Sequence, residues 1–256
     1  MMMNEEAVIA VYSEGATEQN VIAKLRERKL IVPVLEERGG GGEVTMMRKL
    51  RLAVRAWYES AKTPREDLRI LVLRDLDTHE EKTIDHICKS TADVIRTYDS
   101  SAQLLPHETH GNVFVLKTEL SSLQLVLHIA SQPYLESFAK ATIDDYVLKL
   151  ALLETTAKAL LQNKKEAGMQ KNPKRDWQID VPALQKKVSE EIPTLLSQNK
   201  IPALIEAKEY VRFYATILQE HSSPATFAGK VLAHAEEKDI REVFAPLLAT
   251  IQSFTE

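Results

Sequence analysis

Short apolar runs and longer amphipathic stretches alternate along the first half of the chain. The run Ala7-Val8-Ile9-Ala10-Val11-Tyr12 reads as a buried strand. A helical pattern follows from Thr17 to Lys29, then a short strand over 31–35, where Pro33 points to a sheet edge or a bulge. After four glycines, Gly39 to Gly42, the residues Met47, Leu50, Val54, Trp57 and Tyr58 share one helical face within 44–60. A strand over 69–74, a polar helix over 80–98 and a fourth strand over 112–116 complete the alternation. Strands alternating with helices predict a mostly parallel sheet with helices on its faces.

From about residue 120 the strand signal gives way. The pattern predicts helices over 120–131, 143–162, 182–198, 202–220, 224–235 and 239–254, with a polar loop over 163–180. Several begin with a proline in the first turn, where a missing N–H costs little. The expected division is an α/β domain over 1–130 and an all-helical extension over 131–256.

Composition narrows the class without naming a function. The 256 residues carry ordinary apolar and charged fractions and a formal net charge of −4. A protein that grips duplex DNA unaided usually shows a strongly basic face, so a nucleic-acid contact here needs a local patch or a partner that supplies positive charge. No apolar stretch has the length of a membrane span, and the acidic start lacks the basic n-region of a signal peptide. A single cysteine, Cys88, excludes an internal disulfide and a cysteine-rich zinc site. A cytoplasmic, membrane-free protein is expected, and a homo-oligomer is compatible with all of this.

The chemistry sits where the strands end. The first strand runs into Ser13-Glu14-Gly15-Ala16-Thr17-Glu18, and the third into Arg74-Asp75-Leu76-Asp77. Glu14 and Glu18 are four apart, one helical turn. Asp75 and Asp77 share one side of an extended chain while Leu76 takes the other. If the two strands are neighbours, three or four carboxylates converge. Their mutual repulsion raises their pKa values unless a cation lies among them, and Mg²⁺ or Mn²⁺ suits such oxygen ligands. The alternative is structural, since acidic residues after strands commonly cap helices. Arg74 pairs with one of these carboxylates or with a substrate phosphate.

Glu14-Gly15 after a first strand and Asp75-Leu76-Asp77 after a third resemble the Toprim domain, shared by topoisomerases, DnaG-type primases, RecR proteins and OLD-family nucleases. The string Glu14-Gly15-Ala16-Thr17-Glu18 is most similar to the OLD-type branch. The resemblance covers residues 7 to about 125. It implies a four-stranded, mostly parallel Toprim-like sheet and Mg²⁺-dependent cleavage of phosphodiesters in DNA or RNA, tRNA included. Glu14, Glu18, Asp75 and Asp77 would be metal ligands or their supports, and Glu14 would also assist proton transfer. Lys208, in Ile205-Glu206-Ala207-Lys208-Glu209-Tyr210, resembles the lysine that stabilises charge on the phosphate. The family also carries a serine and a glutamate just after its fourth strand. Here that stretch reads Leu120-Ser121-Ser122-Leu123-Gln124, so Ser122 fits while Gln124 replaces the acid, with Glu119 nearby.

The chain has no Gly-x-x-x-x-Gly-Lys-Ser/Thr phosphate loop. Stand-alone OLD-type chains commonly work with a separate ABC- or SMC-type ATPase in bacterial anti-phage defence, and that partnership is what the resemblance implies. The competing expectation is a non-catalytic regulator or scaffold docking on an ATPase assembly, which Gln124 and the acidic balance favour. A phosphotransferase using Asp-x-Asp is the third. Among other residues, His79 could orient a water or phosphate beside Asp77. The pair His107-x-x-His110 lacks further zinc ligands. The lysines and Arg175 between Lys164 and Trp177 read as a solvated loop or a backbone-contacting patch. Cys88 reads as a packing residue.

Overall fold

The computed structural model describes residues 8–31, 34–38, 40–60, 67–77, 83–171 and 179–254. They fall into two compact units, Met1–Ser131 with Phe244–Glu256, and Gln132–Val243.

In the first unit the order is β1 (Val8–Ser13), α1 (Ala16–Glu27), β2 (Val34–Glu37), α2 (Glu43–Tyr58), β3 (Leu68–Asp77), α3 (Ile84–Arg96), β4 (Gln103–Pro106), β5 (Val113–Lys117) and β6 (Leu123–Ala130), with the C-terminal helix Ala245–Gln252. The strands lie in the order β2-β1-β3-β6-β5-β4. The pairs β1–β2, β1–β3 and β3–β6 are parallel, and β5–β6 and β4–β5 antiparallel. The sheet is therefore mixed and wider than a four-stranded parallel one.

The chain leaves β1 toward β2 and then returns past β1 to β3. Right-handed crossovers in opposite directions place α1 and α2 on opposite faces. One face buries Ala10, Tyr12, Ile70, Val72, Leu125 and Leu127 under Met46, Leu50 and Val54 of α2 and Ile87, Val94 and Ile95 of α3. The reversal between β1 and β3 is a topological switch point, the position where open α/β sheets bind ligands beyond their carboxyl ends.

Two expectations change. Residues 120–131 are not a helix: β6 fills the centre of the sheet, parallel to β3 from Leu68↔Leu123 to Asp75↔Ala130. The strand over 112–116 exists as β5, but it pairs antiparallel with β6 through a hairpin. Asp99 secures that hairpin's turn. Its carboxylate accepts from the Glu119 N–H (2.7 Å), the Ser101 N–H (2.9 Å) and the hydroxyls of Ser101 and Thr118. Those bonds, the side chains of Ser101 and Thr118 first, hold Asp99 well below the usual carboxylate range.

The second unit contains the short strand Lys140–Ala141 and helices α4 (Ile143–Leu152), α5 (Glu154–Lys171), α6 (Val181–Lys186), α7 (Ile192–Gln198), α8 (Ala207–Ile217), α9 (Pro224–His234) and α10 (Glu237–Val243), the C-terminal helix being α11. Thr142 and Asp145 form a reciprocal capping box at the start of α4. Tyr214, Phe227 and Val231 are fully buried, and the Tyr214 hydroxyl donates to Ala151 O at 2.9 Å.

The helix expected over 143–162 breaks at Leu153, whose backbone is extended (φ −63°, ψ 138°). The loop expected from 163 is helical as far as Lys171: no proline precedes Pro173, and the helix formers around Gly168 outweigh its cost of about 1 kcal/mol. The helix over 182–198 contains a π-helical segment, Lys187–Glu191, just before Pro193. A proline inside a helix lacks the N–H for its ladder bond, and a π turn absorbs that mismatch. Among the described residues no helix is long and apolar enough to cross a membrane.

Candidate functional site at the β1–β3 carboxyl edge

The parallel register Ser13↔Leu73 sets Glu14 beside the Arg74-Asp75 step. The Glu14 carboxylate accepts a hydrogen bond from the Asp75 backbone N–H, so the two acidic segments meet. Asp75 and Asp77 lie inside β3 rather than beyond it. Leu76 packs on the α2–α3 layer, so the pleat turns Asp75 to the opposite face, the α1 side. Glu18, in the first turn of α1, is 5 % exposed. Its carboxylate folds back over Gly15, where a Cβ would stand 3.0 Å from Oε2. A glutamate there also complements the helix N-terminus. The side chain of Asp77, and His79, Lys174, Arg175 and Trp177, lie outside the described residues.

Arg74 organises the edge. Its side chain is 2 % exposed. Nε donates to Glu14 Oε1 at 2.6 Å and Nη2 to Glu43 Oε1 at 2.5 Å, while Nη1 lies 3.6 Å from Met47 Sδ. The guanidinium fork thus ties β3 to the β1–α1 turn and to the first turn of α2. Burial raises the Glu14 pKa, Arg74 pulls it down, and Glu43 pushes it up again; the net result is raised. Glu14 is therefore a carboxyl group poised to hold or release a proton closer to neutrality than a free glutamate.

Glycines build the approach to Glu43. Gly40, Gly41 and Gly42 all have positive φ (87°, 89° and 82°). The Gly40 N–H donates to Ser13 O at 2.7 Å and the Gly42 N–H to Glu14 O at 3.0 Å. The loop is tied to the β1–α1 turn, and these two amides are spent on it rather than on a phosphate. Gly42, the residue before α2, has φ 82° and ψ 169°, a region accessible essentially to glycine. An added Cβ there meets nothing within 4 Å, so Gly42→Ala is expected to cost about 1–3 kcal/mol through backbone strain alone. Urea unfolding of the variant measures it. A cost near zero would mean that the loop adapts freely.

Other residues singled out in the sequence fall elsewhere. Gln124 pairs with Arg69, six residues before Asp75 along β3. At strand spacing that puts Ser122 and Gln124 roughly 20 Å or more from the acidic edge, at the opposite end of the sheet. They cannot supply the serine and acid of a second metal position. Lys208 lies in the first turn of α8, in the helical unit. His107 and His110 have ring centroids 5.8 Å apart. Cys88 packs beside the α2–α3 layer with its thiol pushed up to about 11 by burial and Asp85, which leaves it unreactive. Glu43 and Met47 complete the grip on Arg74; their part was not apparent from the acidic motifs.

These features define an α/β protein with a mixed sheet and an arginine-braced carboxylate pair at its switch point. No family model matches the chain, and no curated protein matches it. Among solved structures it is similar to the crystal structure of a hypothetical protein from Pyrococcus horikoshii OT3, with a TM-score of 0.57 and 12 % identity over 95 % of this chain and 98 % of the other. At that identity the likeness concerns the fold alone.

Proposed function

We propose that the chain is a metal-dependent phosphodiesterase acting on DNA or RNA, related to the OLD-type Toprim nucleases and working as a defence effector with an ATPase partner. The observation that carries this reading is the Asp75 N–H bond to the Glu14 carboxylate at the switch point, which unites the two acidic motifs. The donors suit the ion: Glu14, Glu18 and Asp75 offer hard oxygen ligands of the kind Mg²⁺ takes, with Asp77 next on the same strand. Among the described residues no three such side chains are already gathered as a metal group, and Arg74 holds Glu14 away toward Glu43. When bound, Mg²⁺ or Mn²⁺ would polarise a phosphate oxygen and acidify a water. Asp75 and Asp77 would hold and orient the ion, Glu18 would support them, and Glu14 would move a proton at the reacting oxygen.

The test is cleavage of labelled single- and double-stranded DNA and RNA with Mg²⁺ or Mn²⁺, with and without EDTA. Asp75→Asn and Glu14→Gln are expected to reduce cleavage by about 100-fold or more, in line with the loss of an electrostatic or acid–base group. Glu14→Gln also lowers the thermal transition, because it takes a partner from Arg74, so both are assayed well below it. Unchanged cleavage in both variants would remove the assignment.

The Arg74–Glu14 contact at 2.6 Å favours a second reading. An internal cation already neutralises Glu14, as in a Toprim-like regulatory or scaffold subunit that docks on an ATPase assembly without catalysis. Mn²⁺ titration separates the two: binding that Asp75→Asn abolishes supports the enzyme, and its absence in the unmodified protein supports the regulator.

A further inference from the structure

A groove of about 330 Å³ lies between α2 and α3, away from the carboxylates. Arg48, Arg51 and Arg55 line it from α2, with Leu52 between them, and Asp93 and Tyr98 line it from the α3 side. The three arginines are spaced three and four residues apart, so they form one stripe along the helix. All three are exposed. Like charges at these spacings weaken a helix. Among the described residues Arg48 and Arg51 make no ion pair, whereas Arg55 is paired with Glu59 (2.9 Å) and Asp93 with Arg96 (2.7 Å). The groove therefore keeps an uncompensated positive charge.

Its walls are not uniformly polar. Leu52 is 58 % exposed at the rim. The Tyr98 ring is held against Tyr58, centroids 4.4 Å apart. Guanidinium forks match phosphate oxygens in geometry as well as charge, and a fixed aromatic face with an apolar neighbour suits a stacked base. The volume is at the small end of ligand pockets, enough for one nucleotide.

We propose that this groove binds a nucleotide unit, its phosphates on Arg48 and Arg51 with Arg55 behind them, and its base against Leu52 and Tyr98. The helix connects the groove to the acidic edge. Glu43, which holds Arg74, opens α2. Arg48 follows five residues later and Arg55 twelve, roughly 8 and 18 Å along the axis. A strand lying on the arginines would run along α2 toward the end that opens at Glu43. That continuity rests on the phosphodiesterase reading; the affinity of the groove does not.

The experiment measures binding in EDTA, so it reads the groove whether or not the acidic edge cleaves. The probes are fluorescein-labelled dT12 and rU12, followed by anisotropy across a salt series, and ADP, followed by calorimetry. Arg48→Ala/Arg51→Ala is expected to weaken binding at least tenfold and to lower the log–log salt slope for the strands by about 1.4, the value for two lost phosphate contacts to a single strand. Lys158→Ala, which removes an exposed charge in the helical unit, should change affinity less than twofold. Retained circular dichroism in the double variant shows that the fold stands. Strand binding much tighter than ADP assigns the site to a nucleic acid, and comparable affinities assign it to a free nucleotide; both support the groove. It is overturned if neither probe binds the unmodified protein, if the double variant binds as well, or if hexaglutamate competes as effectively as ADP.

Discussion

Arg74→Ala is expected to destabilise the α/β unit by about 3 kcal/mol, the low end of what removing one partner of a buried ion pair costs. The guanidinium is almost wholly enclosed, while the Glu14 and Glu43 side chains keep 20 % and 31 % exposure. Water can therefore reach both carboxylates once the arginine is gone, which holds the loss near that low end. Two carboxylates would then face each other without a cation, and the Met47 contact and the space of the long side chain would be lost as well. For a unit of this size that energy corresponds to a fall of roughly 6–12 °C in the melting temperature. Calorimetry should show it in one transition, with the helical unit melting separately or following. Arg74→Lys should recover only part, because an ammonium cannot span two carboxylates as a planar fork does. The pairing Arg74→Met with Glu14→Gln should recover more than either change alone, since it removes the stranded charge. The gap between Arg74→Ala and the unmodified protein should also narrow as pH falls, because the raised pKa of Glu14 lets it take up a proton early. An Arg74→Ala variant that melts like the unmodified protein would show that the fork contributes no net stability.

The acidic edge was legible because each motif closes an apolar run whose length only a strand of this size explains. Two parallel strands joined by a helical crossover then bring their carboxyl ends to one side. What the pattern did not carry was the cation inside the edge. A charged residue before Asp75 is visible in the sequence, but its closure by Glu43, 31 residues earlier, depends on a glycine turn that aims the start of α2. β6 was hidden for a different reason. Leu123-Gln124-Leu125-Val126-Leu127-His128-Ile129-Ala130 is buried on both faces apart from Gln124, so the period of two that marks a half-buried strand is missing, and such a run reads as readily as a helix. Mistaking β6 also misplaced Ser122 and Gln124, which the parallel register with β3 carries to the wrong end of the sheet. β4 escaped notice as a four-residue, mostly exposed strand ending in Pro106.

Acidification tests β6 directly through His128. Its ring is 1 % exposed at the centre of the sheet, between Leu73 of β3 and Val113 of β5. The Asn112 amide nitrogen lies 3.5 Å from its Nε2. Burial, with a smaller contribution from His110, lowers its pKa to about 3. In the unfolded chain it titrates near 6.5. The folded pKa is depressed, so the unfolded chain takes up a proton first. Stability is fully present above 6.5 and is lost as pH falls from there toward 3, by about 1.4 kcal/mol per unit once well below 6.5. From pH 7 to pH 5 the loss from this residue approaches 2 kcal/mol. His234, lowered chiefly by burial, acts in the same direction. Glu14 and Asp145, raised chiefly by burial, act in the opposite one as they take up protons, and Asp99 adds its own loss only in stronger acid. Comparing the protein with His128→Gln cancels these shared contributions. Urea unfolding at pH 7, 6 and 5 should give a lower starting stability but a flatter pH dependence for the variant. Equal slopes would mean that His128 takes up its proton as readily in the folded sheet as in the open chain, and that β6 does not enclose it as described.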